Sequence, residues 1–419
     1  MRSATMVVHE HQRLVVRDRG ERVRDGDLPI EQEEWEALAA YSERAGNAAF
    51  RIGHRKVTVG HHVGYLQVGR LRVEVLPKLR SAGDGDWRGL LLHMLREVLS
   101  LRIAVQQTAP LQSRPGTVYR VMVERYLDLV QGLLREGLAR AYREVESNER
   151  CMRGRLVVGQ HLRVNAGHRE RLYVAYPVFD ADRLLNRILH QALDRVVKTT
   201  ADGDHRCRAE SLLGAFPEVG RTPVRAQDFE RIRLNRSTFR YGEALELARL
   251  ILLNERPDLR WGGKPVVSLL FDMNALFEAY VLKQLRRVPG VRVRAQARKV
   301  FWRGSTEGVR LLKPDLLVDA PEWSSPLVID TKWKVPKSDR PGDEDLRQIF
   351  AYLRMFDASR GVLLYPRATS KQRSAEGRFQ VDGLHGGVAF LNLLSDGRPD
   401  AAQVRAELET LLGSQGDAA

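Results

Sequence analysis

Two short apolar runs, each bordered by charged residues, lie within residues 313–333, which read KPDLLVDAPEWSSPLVIDTKW. Asp315 precedes the first run, and Asp330 and Lys332 follow the second. Side chains alternate along a β-strand, so Asp330 and Lys332 are expected on one face and Thr331 on the other. If the two runs are antiparallel neighbours, two carboxylates and one ammonium group meet at one point of a sheet.

Two carboxylates beside a lysine suit the metal-assisted hydrolysis of a phosphodiester. Mg²⁺ prefers hard oxygen ligands and keeps several waters. The ion lowers the pKa of a bound water, and a nearby lysine orients or deprotonates that water. Glu278 would supply a third carboxylate from a predicted helix. Gln348 and Tyr352 are four residues apart on a predicted helix, share one face, and would hydrogen-bond the metal-bound water or a phosphate.

The alternative interpretation is that Asp330 and Lys332 form a surface ion pair, since Asp-x-Lys triplets are common by chance. Residues 327–329 are Leu-Val-Ile, however, and this favours an interior strand, where an unpaired charge is costly. A charge cluster at the end of a buried strand is typical of a functional site. The combined set therefore favours a nuclease over a surface pair.

Periodicity in the remaining sequence predicts an α+β, multi-domain protein. From residue 261 onward the pattern predicts a mixed sheet flanked by helices. Its helices are expected at 268–287, 343–355 and 401–412, and its strands at 291–302, 309–319, 327–333, 361–365 and 388–393.

The first part of the chain predicts an α+β region with a β-hairpin and long helices. Its elements are expected as a strand at 6–16, helices at 31–45, 87–101 and 118–145, and a hairpin at 57–76 that turns at Gly69-Arg70. The middle part predicts helices at 183–197 and 242–253 around a connector at 203–225. We therefore predict three regions, 1–145, 146–260 and 261–419.

The amino-acid composition predicts a globular protein and bears on its partner and its location. Of 419 residues, 43% are hydrophobic and 29% are charged, as in ordinary globular proteins. The net charge of +15 suits a polyanionic partner such as nucleic acid, or else reflects arginine on solvated faces. No stretch predicts a membrane span or a secretory signal. The two cysteines, Cys151 and Cys207, favour a reducing, cytoplasmic location.

The motif Pro314-Asp315, Asp330-Thr331-Lys332 and Gln348-x-x-x-Tyr352 resembles the PD-(D/E)XK nuclease superfamily with its QxxxY extension. The wider sequence resembles the McrC family, the nuclease subunits of McrBC 5-methylcytosine-dependent restriction systems. Further residues support this resemblance: Leu76-Pro77-Lys78, Gly154-Arg155-Leu156, Asp182 with Asn186, Leu276-Phe277-Glu278 and Trp333-Lys334.

The resemblance implies a Mg²⁺-dependent (or Mn²⁺-dependent) endodeoxyribonuclease whose C-terminal α/β domain cuts double-stranded DNA. It implies Asp315, Asp330, the backbone carbonyl of Thr331 and Glu278 as metal ligands, with Lys332 orienting the water. Gln348 and Tyr352 would support them. Arg367, Lys371 and Arg373, which follow a predicted strand, are candidate phosphate contacts.

The resemblance also implies a partner, an McrB-like AAA+ GTPase hexamer that hydrolyses the nucleotide. The chain itself has no phosphate-binding loop, since Gly262-Gly263-Lys264 is followed by Pro265. We therefore expect no bound nucleotide. Because the N-terminal domain of such proteins docks into the partner's ring, Arg70 at the hairpin turn is a candidate partner contact, although a solvated loop tip is its default interpretation.

Two alternatives stay open at this stage. One is a stand-alone PD-(D/E)XK nuclease of DNA repair, and the other is a non-catalytic DNA-binding assembly module. The histidines at positions 54, 61 and 62 suggest a metal site only weakly, because no carboxylate or cysteine lies at ligand spacing in the nearby sequence. A solvated loop or strand face explains them better.

Overall fold

The structure is a computed structural model, and the chain divides into two compact units. The first comprises Met1–Tyr119, Trp261–Lys264 and Leu270–Ala419, and the second comprises Arg120–Arg260 and Pro265–Leu269. Within the described part of the chain, no helix is long and apolar enough to cross a bilayer. The prediction that residues 1–145, 146–260 and 261–419 are three separate regions stays a prediction. The described residues are 5–17, 24–45, 49–69, 71–77, 84–99, 117–200, 202–253, 255–261, 264–304, 308–334, 336, 340–369, 371–380 and 383–413.

The N-terminal part of the first unit contributes strands to two sheets. One sheet consists of residues 13–16, 28–30, 50–53 and 56–59, and in the other residues 6–9 pair in parallel with residues 73–76. The chain turns at His11, whose φ is 62°, so the strand predicted over 6–16 was wrong and is two strands in different sheets. The elements are β1 (Met6–His9), β2 (Arg13–Val16), β3 (Leu28–Ile30), α1 (Gln32–Ala45), β4 (Phe50–Gly53), β5 (Lys56–Val59), β6 (His62–Val68), β7 (Leu71–Leu76) and α2 (Asp84–Val98).

The predicted hairpin is confirmed in its turn and in its second strand, but it begins at His62, because residues 57–59 belong to β5 of the other sheet. Strands β6 and β7 are antiparallel, and Val68 pairs with Leu71 across the turn. Gly69 has a φ of 60°, a left-handed conformation that glycine adopts at no steric cost. Arg70, the candidate partner contact, lies outside the described residues.

Between residues 117 and 261 the chain is largely helical, with one antiparallel sheet of order β8-β10-β9. The helix predicted over 118–145 was wrong beyond Glu136, because Gly137 turns the chain with a φ of 85° and a strand follows. The connector predicted over 203–225 contains a helix, which Asp202 caps and which has few buried positions. The elements are α3 (Thr117–Glu136), β8 (Ala141–Glu149), β9 (Arg155–Leu156), α4 (Val158–Val164), β10 (Leu172–Asp180), α5 (Leu184–Thr199), α6 (Gly203–Ala215), α7 (Ala226–Glu230), a 3₁₀ turn (Phe239–Tyr241), α8 (Gly242–Leu253) and β11 (Glu255–Trp261).

The C-terminal part of the first unit is built on a six-stranded mixed sheet of order β13-β16-β17-β18-β20-β19. Strands β17, β18 and β20 run parallel, and the other pairs are antiparallel. This confirms the predicted mixed sheet flanked by helices. Residues 264–272, most of which belong to the second unit, form β12 (Lys264–Asp272). The elements that follow are α9 (Met273–Leu285), β13 (Arg292–Ala295), β14 (Lys299–Arg303), β15 (Val309–Leu312), β16 (Leu316–Asp319), β17 (Leu327–Thr331), α10 (Asp343–Phe356), β18 (Arg360–Pro366), β19 (Ala375–Arg378), β20 (His385–Leu391), β21 (Leu394–Ser395), β22 (Arg398–Pro399) and α11 (Ala401–Gly413).

Three predicted boundaries in this part were wrong. The helix predicted from residue 268 begins at Met273, because the Asp272 side chain caps it and residues 264–272 are a strand. The strand predicted over 291–302 breaks at Gln296, whose φ is 50°. The strand predicted over 309–319 breaks before Asp315, and its first half pairs with β14 in a separate two-stranded ribbon.

Helix α10 packs on the six-stranded sheet through one face. Tyr352, Leu353 and Phe356 cluster with Leu317 and Val328 of the antiparallel neighbours β16 and β17. The helix begins with three acidic residues in its first turn, where the helix dipole favours negative charge. This packing carries the polar side chains of the same helix to the carboxyl end of β17.

Candidate active site

Asp315 lies directly before β16 and is tied to the end of β17. The two strands are antiparallel neighbours, as predicted, with Leu316 opposite Ile329. One carboxylate oxygen, Oδ2 of Asp315, accepts hydrogen bonds from the backbone N of Thr331 at 2.8 Å and from its hydroxyl at 2.7 Å. Thr331 therefore holds Asp315 at the end of the strand that carries Asp330.

Asp330 is more deeply buried than Asp315 or Glu278, with 2% of its surface exposed. Burial, followed by the negative charge of Asp315, raises the pKa of Asp330 to about 6, although Lys332 opposes the shift. Strand β17 is buried along its whole length, so the carboxylate is held at the end of an interior strand. The alternative interpretation, that Asp330 and Lys332 form an ion pair on the surface, is therefore wrong for Asp330.

Lys332 bridges the strand and the helix. Its Nζ lies 2.7 Å from Oδ2 of Asp330 and donates to Oε1 of Gln348 at 2.9 Å. Burial alone would lower the pKa of Lys332, but the carboxylates of Asp330 and Asp345 outweigh it and raise the pKa. The ammonium group is therefore held in its charged form.

Gln348 and Tyr352 of α10 form a chain of hydrogen bonds next to this lysine. Nε2 of Gln348 donates to the hydroxyl of Tyr352 at 2.8 Å, and that hydroxyl donates to the carbonyl of Lys313 at 3.2 Å. Gln348 thus presents its oxygen to Lys332 because Tyr352 fixes its amide group. The hydrogen bonds place both residues next to Lys332, and the Tyr352 hydroxyl ties α10 to the segment before Asp315.

Glu278 reaches the same place from α9. Its Oε1 accepts a hydrogen bond from Nε2 of Gln296 at 2.8 Å, and the backbone N of Gln296 donates to the carbonyl of Asp315 at 2.8 Å. Burial raises the pKa of Glu278, and the charges of Asp315 and Asp330 add to that shift. Gln296 therefore links the third carboxylate to the first.

Two charged residues near this site were missed from the sequence. Asp345 lies 3.9 Å from Nζ of Lys332, forms a 2.7 Å ion pair with Lys334, and accepts from the Tyr365 hydroxyl at 3.1 Å. Its spacing of three residues before Gln348 on α10 was the available signal. Buried Glu10 accepts from the indole N–H of Trp333 at 3.0 Å, and nothing in the local sequence indicates that contact.

The three candidate phosphate contacts differ in their surroundings. Arg367 is part of the fold: its guanidinium donates to the carbonyl of Phe390 at 3.2 Å and lies 3.9 Å from Glu407. Lys371 and Arg373 are exposed. The DNA role of all three stays a prediction.

The histidines set aside from the sequence meet a carboxylate that is distant in the chain. Nε2 of His61 lies 3.3 Å from Oδ2 of Asp272, and His62 completes a group of three side chains able to ligate a metal. The absence of a carboxylate in the nearby sequence was therefore a poor argument. Oδ1 of Asp272 caps α9 by accepting from the backbone N of Asn274 at 2.8 Å, so a structural role for the group is already visible.

The second unit contains its own carboxylate network around Asp182. The guanidinium of Arg187 donates to both of its oxygens, at 2.5 and 2.8 Å, and the backbone N of Gly220 donates at 2.8 Å. The hydrogen bonds from Arg187 lower the pKa of Asp182 to about 2. Neighbouring Asn186 is fully buried and donates to the carbonyls of Ala139 and Ala181. These hydrogen bonds connect the start of α5 with residues 139 and 220 of the second unit.

Gly154 has an equally local explanation. Its φ is 68°, and a Cβ at this position would lie 2.3 Å from the carbonyl oxygen of Ala175. Only glycine fits this close approach between the segment before β9 and strand β10. The motif Gly154-Arg155-Leu156 therefore supports the sheet of the second unit.

Comparison with known proteins agrees with the resemblance seen in the sequence. A family model described as "McrBC 5-methylcytosine restriction system component" matches residues 57–366. No protein of curated function matches the chain.

Two solved structures from Thermococcus gammatolerans are similar to it. One is a refined half-complex from a tetradecameric assembly of McrB AAA+ hexamers with bound McrC, at 21% identity and a TM-score of 0.70, covering 97% of this chain and 100% of that chain. The other is the McrBC complex solved by cryo-EM, at 21% identity and a TM-score of 0.49, covering 68% of this chain and 88% of that chain. The match to the family model spans well over half of the sequence, and the resemblance to the McrC family is confirmed at that level. The chain belongs to the family of McrBC 5-methylcytosine restriction system components.

Proposed function

We propose that this chain is the nuclease subunit of its restriction system, a PD-(D/E)XK enzyme that cuts double-stranded DNA with Mg²⁺ or Mn²⁺. The observation that carries the proposal is the position of Asp330, a buried carboxylate at the end of an interior strand. It is paired with Lys332 and influenced by the charges of Asp315 and Asp345. Burial and neighbouring negative charge disfavour the ionised form of Asp330, and carboxylates with such raised pKa values cluster at functional sites.

The donor set fits a hard divalent cation. Asp315, Asp330, Glu278 and the carbonyl of Thr331 supply oxygen only, which is the ligand type that Mg²⁺ prefers. Burial and mutual repulsion raise the pKa of both Asp330 and Glu278, and a cation would relieve that repulsion. When bound, the ion would polarise the phosphodiester and lower the pKa of a water.

The chain's own side chains would orient the water and hold the charged groups in place. Lys332 is held as a charged donor, so it would orient the attacking water and stabilise negative charge that develops on the phosphate. Gln348 keeps Nζ of Lys332 at the site, and Tyr352 keeps Gln348 in place. Thr331 fixes the rotamer of Asp315 through two hydrogen bonds.

We further propose an McrB-like AAA+ partner, a GTPase hexamer, that drives the reaction. The similar structure from Thermococcus gammatolerans contains McrB AAA+ hexamers with bound McrC, and its fold likeness extends over nearly the whole of this chain. In this assignment the partner hydrolyses the nucleotide, the N-terminal region docks on it, and Arg70 remains a candidate contact. The assignment would place the pair in the cytoplasm beside the DNA.

Cleavage by the full chain with its AAA+ partner tests the nuclease assignment. We expect Asp330→Ala and Lys332→Ala to lower the cleavage rate by roughly 10³-fold or more, as loss of a charge-stabilising group typically does. EDTA should abolish cleavage in the wild type, and Mg²⁺ or Mn²⁺ should restore it.

Asp319→Ala is the matched control, because Asp319 ends the same strand that Asp315 precedes and forms an exposed 3.0 Å pair with Arg294. It should cut at the wild-type rate. Full cleavage by folded Asp330→Ala protein would overturn the assignment.

A further inference from the structure

The two-stranded ribbon formed by β14 and β15 exposes an unusual amount of apolar surface. Phe301 and Trp302 are 58% and 53% exposed, and Val300, Val309 and Leu311 are each nearly half exposed. Single exposed apolar residues need no explanation, but a contiguous exposed group marks an interaction surface. The register shifts between Val300 and Trp302, so Phe301 has no partner across the ribbon.

Positive charge is interleaved with these side chains. Residues 298–313 contain five basic residues, Arg298, Lys299, Arg303, Arg310 and Lys313, and one acidic residue, Glu307, which lies outside the described residues. All five basic side chains are exposed. Aromatic and basic side chains on one narrow element suit a polyanion with stackable bases better than an apolar protein surface.

The start of β14 and the end of β15 both lie next to residues of the candidate active site. Three residues before β14, Gln296 hydrogen-bonds the carboxylate of Glu278 and the carbonyl of Asp315. Directly after β15, the carbonyl of Lys313 accepts from the hydroxyl of Tyr352. Three residues of extended chain span about 10 Å, so Leu312, at the end of the ribbon, lies within that distance of Asp315.

Among the described residues of the ribbon, those at its base are anchored to the core. Leu312 packs against the cluster that contains Tyr352 and Phe356 of α10. Lys299 pairs with Asp357 at 3.1 Å. The side chains further along, from Val300 to Arg303, are exposed. Contacts made there by a ligand would therefore not disturb the packed sheet.

We propose that this ribbon binds duplex DNA beside the active site and positions the scissile phosphate. The proposal rests on the proposed function and adds a substrate-binding element to it. A two-stranded ribbon fits the major groove of DNA, and apolar side chains can also insert between base steps. Arg303 and Arg310 would contact phosphates, while Phe301 and Trp302 would contact bases or sugars.

The test measures binding without cleavage. The full chain carrying Asp330→Asn would be titrated against a short fluorescein-labelled duplex at low salt, with anisotropy as the readout. We expect the added change Phe301→Ala with Trp302→Ala to weaken duplex binding by roughly 10-fold or more, because apolar side chains that insert between base steps of a duplex are removed. Arg310→Ala should reduce the salt dependence of binding by about one counterion.

Phe239→Ala is the control, because Phe239 is a 73% exposed aromatic of the second unit. Its affinity for the duplex should equal that of the background. Wild-type affinity in the Phe301/Trp302 double variant, or no duplex binding by the background at low salt, would overturn the inference. A change in self-association or in binding to the AAA+ partner, with duplex affinity unchanged, would overturn it equally.

Cleavage of DNA by the wild-type chain separates this inference from the proposed function. If the wild type cuts DNA and the ribbon variants bind normally, the ribbon inference fails alone. If the wild type does not cut and the ribbon variants lose binding, the nuclease assignment fails and the ribbon remains a DNA-binding element.

Discussion

Each of the two units contains an aspartate held by polar neighbours, Asp182 in the second unit and Asp330 in the first. The neighbours of Asp182 lower its pKa, whereas the surroundings of Asp330 raise its pKa. Asp182 in the second unit is fully satisfied by Arg187 and a backbone N–H, and its pKa is lowered to about 2. Asp330 in the first unit lies near other carboxylates with Lys332 as its close cation, and its pKa is raised to about 6. One network stabilises the fold, whereas the other costs stability.

The direction of the pKa shift distinguishes these two aspartates, whereas burial does not. The side chains of Asp182 and Asp330 are both largely shielded from solvent, being 11% and 3% exposed. A depressed pKa means that the folded protein favours the carboxylate, and a raised pKa means that it disfavours the carboxylate. A group whose charge the fold disfavours is a candidate for binding a cation, and Asp330 meets that criterion while Asp182 does not.

The largest effect on stability is expected for Asp182→Asn. Removing the charge weakens the paired hydrogen bonds from Arg187, and losing hydrogen bonds to a charged group typically costs about 2–3 kcal/mol. Hydrogen exchange of peptides from α5 in urea would report the loss in the second unit directly. Asp194→Asn is the control, since its pair with Lys198 is exposed and should contribute less than ~0.5 kcal/mol. Equal protection in both variants would contradict the structural role of Asp182.

The opposite sign is expected for Asp330→Asn measured in EDTA. Replacing a buried carboxylate among other carboxylates with a neutral amide removes repulsion and desolvation, and should raise the free energy of unfolding by on the order of 1–2 kcal/mol. Hydrogen exchange of the peptides that contain β17 and β18 would show this gain. A loss of stability comparable to that of Asp182→Asn would mean that the Asp330–Lys332 pair is structural.

A smaller effect is expected from pH. The folded pKa of Asp182 is depressed to about 2, below its ordinary 3.8, so its stabilising contribution is present above pH 3.8 and is lost as the pH falls towards 2. The stability difference between wild type and Asp182→Asn should therefore shrink by about 1 kcal/mol between pH 5 and pH 3. Denaturant midpoints of both proteins across that range would show it. A constant difference would argue against a charged Asp182 as the source.

Much of the candidate site could be predicted from local sequence because strands and helices present residues at fixed spacing. Alternation put Asp330 and Lys332 on one face, and a spacing of four put Gln348 beside Tyr352; their side chains meet in the structure. Helix α10 and strand β18 were predicted to within one or two residues for the same reason. Apolar periodicity reports which face of an element is buried, and that was sufficient here.

Other features depended on which elements the chain brings together. Local spacing does not pair Asp182 with Gly220, place Glu10 against Trp333, or bring Asp272 to His61. The break at Gln296, which frees β14 and β15 from the sheet, depends on hydrogen bonds to Asp315 and Glu278 that exist only in the folded chain. The sequence by itself determined the residue types and their faces. The tertiary structure decided their partners, because the pKa of a carboxylate depends on charges and burial supplied by distant segments.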